Sequence, residues 1–176
     1  MVKEEQAKAI DQDAPVLFGQ RFAQSETFRA VFREGMTLVE ETAAYLDGDG
    51  RRESKMLSRI GGLTYATESM RLTSRLMQLA SWLLLQRAVN EGEMHREQAR
   101  QERSKVRLEG FESAMGGPGW NDLPVRLRDL VARSMRLQER LRLLDDAIYR
   151  AGHPASDNPV VRQIGRLADA FRRRAD

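Results

Sequence analysis

Between Leu63 and Val89 the chain reads LTYATESMRLTSRLMQLASWLLLQRAV, without proline and, from Glu68 onward, rich in strong helix formers. On an ideal helix Ala66, Met70, Met77, Ala80, Leu84 and Ala88 fall on one side. Tyr65, Leu72, Leu76, Leu79 and Leu83 fall next to them. Together they make an apolar arc wider than the stripe of an ordinary surface helix. The pattern predicts a long central helix over about 52–91, with neighbours on more than one side or a second subunit. The Leu72, Leu76, Leu79 and Leu83 stripe is the candidate for the core or a dimer contact. Opposite the arc lie Glu68, Arg71, Arg75 and Gln78, with Trp82 among them.

Two more segments repeat at helical spacing. Phe28, Val31, Phe32, Leu38, Val39, Tyr45 and Leu46 predict a helix over about 26–46. Ser25 is its candidate cap, and DGDG at 47–50 ends it as a turn. Gly35 sits on its buried side, a place for another helix to pass close. Leu123, Leu127, Leu130, Ser134, Leu137, Leu141, Leu144 and Ile148 alternate spacings of three and four, a heptad over about 122–150. Asn121 or Asp122 is the cap candidate, and Pro124 falls in the first turn.

The rest is less regular. Gly61–Gly62 is a point where the central helix bends or starts afresh. Residues 94–105 are polar all round, with acids and bases three and four apart, and predict a short solvated helix. The stretch 106–121, VRLEGFESAMGGPGWN, holds four glycines and a proline and predicts a long loop. Residues 1–16 are polar and expected to be disordered. After Gly152 a flexible tail carries Val160, Val161, Ile164, Leu167 and Phe171 at the spacing of a short amphipathic helix. The fold class is therefore all-α: an elongated three-helix bundle spanning 17–151, with flexible tails, expected to be dimeric.

Composition narrows the chemistry. At 176 residues with 41% hydrophobic content, the chain makes one domain with a real core. A net charge of +3 is too weak to argue for nucleic acid by itself. With no cysteine, disulfide and thiolate chemistry are out, which fits a reducing, cytoplasmic setting. The N-terminus has no apolar h-region of a signal peptide, and no apolar run is longer than the four residues of Trp82–Leu85, so no membrane insertion is expected.

No set of residues spells out a reaction. GGPG at 116–119 lacks the Lys-Ser/Thr ending of a phosphate loop and follows no strand. His95 lies between Glu93 and Glu97, and residues two apart on a helix do not converge. His153 stands in a linker. No metal, nucleotide or other cofactor is expected. Ser69, Ser74 and Ser81 lack a histidine nearby in sequence and read as small residues that permit close helix contact. Asp145–Asp146 has no obvious partner and reads as solvated surface. Arg126, Arg128, Arg133, Arg136, Arg140 and Arg142 are the best case for nucleic acid, but Asp129 and Glu139 interrupt them and no aromatics interleave. The strip of Glu68, Arg71, Arg75, Gln78 and Trp82 has two even readings. It has the composition of a partner-binding hot spot, or the 106–121 loop or the tail covers it.

Three blocks carry a resemblance: FREGMTLVEETAAYLDGDGR at 32–51, YATESMRLTSRLMQLASWLLLQRAVNEGE at 65–93 and SMRLQERLRLLD at 134–145. They resemble the regulator of CtrA degradation (RcdA) family of alphaproteobacterial helical proteins. The resemblance implies a three-helix-bundle homodimer without catalytic residues. It also implies an adaptor that helps the ClpXP protease degrade cell-cycle regulators such as CtrA, with a response-regulator-like partner, bound cargo proteins and recruitment to a cell pole. The rival readings are a dimeric nucleoid-associated protein and a helical interaction module of another kind.

Overall fold

The computed structural model describes residues 26–150 except 112 and 114. The expectations for 1–25 and for the tail after Gly152 lie outside those residues. Among the described residues every element is helical. Helix α1 spans Glu26–Asp47, α2 Asp49–Ser54, α3 Arg59–Asn90, α4 Arg96–Arg103 and α5 Val125–Asp145, with a π-helical turn over Asp146–Arg150.

The long helices α1, α3 and α5 each touch the other two. Cross-contacts set their directions. Arg75 of α3 meets Ser134 of α5, and Trp82 meets Asp145, so these two helices run parallel. Glu41 and Glu34 of α1 meet Arg133 and Arg140, so α1 runs against both. The spacing reading of α1 holds, with Phe28, Val31, Gly35, Leu38, Thr42 and Tyr45 buried. A Cβ on Gly35 would lie 2.4 Å from Leu83 Cδ1, so the close approach of α3 here rests on glycine unless that leucine shifts. The heptad of α5 also holds: Leu127, Leu130, Ser134, Leu137 and Leu141 are all fully enclosed.

Boundaries shift for local reasons. The central helix does not begin at 52 or restart at the glycine pair. The chain makes the short α2, turns over 55–58, and restarts at Arg59. Ser58 caps it, its Oγ accepting from the Gly61 amide at 3.0 Å. Helix α5 begins at Val125, with Pro124 rather than Asn121 or Asp122 at its cap position. Asp122 instead accepts from the Ser58 hydroxyl at 3.4 Å, joining the starts of α3 and α5.

Parallel α3 and α5 need a connection that returns the length of the molecule. Helix α4 and the segment 104–124 supply it. The Arg107 amide donates to Gln78 Oε1 at 2.8 Å, Gln138 Nε2 donates to the Leu108 carbonyl at 2.7 Å, and Thr64 Oγ1 donates to the Pro118 carbonyl at 3.1 Å. The described part of 106–121 is thus pinned at both ends to the groove between α3 and α5. Leu108 and Trp120 belong to the core, so this long connection contributes to the packed interior.

Candidate interaction surfaces

The face of α3 that looked like a partner-binding strip lies under this crossover. Glu68, Arg75 and Trp82 are 3%, 1% and 1% exposed, while Arg71 and Gln78 are half-buried. The Arg75 guanidinium donates to Ser134 Oγ at 2.6 Å, to Ser113 Oγ at 2.9 Å, and to the carbonyl of Phe111. Burial pushes its pKa down from the ordinary arginine value, and the nearby charge of Glu68 opposes that shift. Glu68 accepts from Arg71 at 2.8 Å. All five members of the strip are therefore engaged within the chain. Of the two even readings, coverage by the loop is the one the geometry realises. The partner-binding reading of the strip is corrected, because Glu68, Arg75 and Trp82 are buried and their hydrogen bonds go to partners within the chain.

Trp82 shows the same economy of partners. Its indole Nε1 donates to Asp145 Oδ1 at 2.9 Å. Arg103 of α4 donates to the same carboxylate from Nε at 2.9 Å and again from Nη2. The Arg103 guanidinium also sits 5.7 Å from the centre of the Tyr149 ring. Asp145, expected on the solvated surface, is 2% exposed and joins α3, α4 and α5. The heptad contained a hint, since Asp145 follows the buried Leu141 by one helical turn. Its partner Arg103 lies 42 residues away and left no local signal.

The stripe Leu72, Leu76, Leu79 and Leu83 is 0–4% exposed and packs in the chain's own core. What remains outside is the other half of the apolar arc. Leu63, Met70, Met77 and Leu84 recur every seven residues and are 71%, 67%, 64% and 52% exposed. Ala66, Thr73 and Ser81 lie exposed between them, and Thr67, Ser74 and Ala80 border them half-buried. The result is an apolar ridge of large side chains separated by small ones, along most of α3.

The arginines of α5 are partly committed. Arg133 pairs with Glu41 at 2.5 Å, Arg140 with Glu34 at 2.6 Å and Arg142 with Glu139 at 2.9 Å. Such pairing lowers the positive potential that a nucleic-acid face requires. Among the described residues no group of three or more His, Cys, Asp or Glu is placed to hold a metal ion, and no helix is long and apolar enough to cross a membrane.

Known proteins match this architecture. Residues 19–171 match the family described as "Protein of unknown function (DUF1465)". The crystal structure of RcdA from Caulobacter crescentus CB15 is 55% identical, with a TM-score of 0.61, and the match covers 74% of this chain and 97% of that one. The chain belongs to the RcdA family. No curated protein matches. The family match at 19–171 spans every described helix, so the covered strip and the exposed ridge both lie within it.

Proposed function

We propose that this chain is a non-enzymatic regulator of proteolysis, an adaptor that helps the ClpXP protease degrade cell-cycle regulators such as CtrA. The similarity to RcdA over nearly the whole of that chain carries this reading. Its architecture suits the role: a rigid helical body whose buried polar groups stabilise the fold, with an apolar face left for protein contacts. The adaptor works in the cytoplasm, with a response-regulator-like partner and recruitment to a cell pole. The deciding experiment is a degradation assay with purified ClpXP, the partner and CtrA. Addition of this chain should accelerate CtrA loss several-fold; an unchanged rate overturns the adaptor reading.

The subunit is proposed to be a three-helix bundle that pairs with a second copy through the outer ridge of α3, not through the leucine stripe now seen in the core. The ridge supports this by its symmetry. Leu63, Met70, Met77 and Leu84 are arranged evenly about the midpoint between Thr73 and Ser74. An antiparallel copy therefore sets Leu63 against Leu84 and Met70 against Met77, as a two-fold contact requires. Small residues at the centre let the two helices approach closely. Covering what each such leucine or methionine still exposes stabilises the pair by roughly 1–2 kcal/mol before association costs.

A further inference from the structure

Beside the ridge, α3 and α4 form a groove floored by Leu84, Leu85, Ala88, Met94 and Val106. Its rim is polar and includes the Glu102–Lys105 pair, 2.8 Å apart. Leu84 is shared: it closes the groove on one side and ends the ridge on the other. The described chain stops close by. Tyr149 OH donates to Gln86 Oε1 at 3.4 Å, on the same turn of α3 as Leu85, and Arg103 of α4 lies over the Tyr149 ring. Helix α4 touches both, lining the groove with Gln98 and Glu102 and meeting the Tyr149 ring with Arg103, and a helix is roughly 10 Å across.

From there residues 151–176 continue, 26 in all. The first nine, 151–159, contain glycine and two prolines and reach up to about 30 Å when extended. Then Val160, Ile164, Leu167 and Phe171 recur three and four apart. At helical rise these four positions cover about 16 Å. The α3 side of the groove, from Gln78 to Ala88, covers about 15 Å by the same measure. Arg162 and Arg166 fall between the apolar positions, on the side that would face water.

We propose that the segment 160–171 of this chain seats its apolar positions in its own α3–α4 groove. There it covers Leu84 and competes with the second copy for the ridge. The C-terminal segment thereby sets how readily the chain pairs, an inference that rests on the self-association proposed above. Because both copies must be uncovered to pair, a segment seated in two chains of three weakens dimerisation about ninefold.

The chain has no cysteine, so a bridge can be introduced cleanly. Ala88→Cys combined with Leu167→Cys should oxidise to a bridge within one chain. The control, Ile60→Cys with Leu167→Cys, places its cysteine about 42 Å further along α3 and should not. In parallel, sedimentation compares the full chain with one ended after Gly152 and with the full chain carrying Leu167→Glu. Both altered chains should keep the helical circular dichroism of the body and dimerise about ninefold more tightly. Bridging no faster than the control, bridges formed only between chains, or truncation that leaves dimerisation unchanged or weaker would overturn the proposal. If every form is monomeric yet the bridge still forms within one chain, the docking stands and the pairing through the ridge fails.

Discussion

At the scale of single residues, the buried polar groups do most to distinguish this chain from a generic helical protein. Arg75 holds the crossover by one guanidinium that reaches Ser134, Ser113 and the Phe111 carbonyl. Phe111 itself has φ of 56°, an uncommon backbone for a bulky residue, and the arginine fixes the carbonyl of that residue. Arg75→Ala leaves two buried hydroxyls short of a donor and frees the middle of the crossover. Hydrogen bonds to a charged group contribute roughly 1.5–3 kcal/mol each, not additively, so a loss of about 3 kcal/mol is expected in urea denaturation. Trypsin should then cut at Arg107 faster than in the native chain. Arg75→Lys should rescue little, because an ammonium cannot spread donors across the same fork. Native-like stability together with unchanged cleavage in Arg75→Ala would show that Arg75 does not hold the crossover in place.

At the scale of elements, the three long helices were legible in position and the buried faces of α1 and α5 with them, but the inward face of α3 was not. Periodicity marks α1 and α5 because their buried sides are apolar or small, apart from Asp145 at the end of α5. Helix α3 breaks that rule. Its inward side mixes Leu72, Leu79 and Leu83 with Glu68, Arg75 and Trp82, and its outward side carries Met70 and Met77. The charge and indole positions become interior only because a distant segment brings carbonyls, hydroxyls and the Asp145 carboxylate to them. No pattern within α3 could report that, although the 106–121 stretch was itself visible as too long to be an idle loop. The α1–α5 contact is a simpler case and carries a pH prediction. The Arg133 guanidinium, by its hydrogen bond first and its charge second, holds the Glu41 pKa below the ordinary 4.5. Because the folded-state value is depressed, the pair's contribution is complete above the unfolded value and fades as pH falls through the depressed one. Glu41→Gln should therefore narrow the stability gap to the native chain as pH is lowered from 6 toward about 3, with less than about 1 kcal/mol at stake for so accessible a pair. A gap that stays constant across that range would show that the pair contributes nothing measurable.

At the scale of the whole molecule, two neighbouring residues of α3 separate folding from assembly. Leu76 is 4% exposed in the core, and Met77, the next residue, is 64% exposed on the ridge. A carboxylate at 76 is buried without a partner, so Leu76→Glu should unfold the chain or lower its melting temperature steeply. A carboxylate at 77 stays in water in the single subunit and costs the fold little. In the proposed antiparallel pair, however, Met77→Glu places the charge against Met70 of the other copy, near the two-fold. Because the contact is symmetric the substitution acts twice, once at each end of the central pair of contacts. On that proposal the native chain should sediment as a dimer, and Met77→Glu and Met70→Glu should each yield a helical monomer at the same concentration. Helix content should stay native, and the melting temperature should lose its dependence on protein concentration. A Met70→Glu chain that remains dimeric would move the interface off the ridge. A Leu76→Glu chain that folds normally would instead contradict the packing of the core itself.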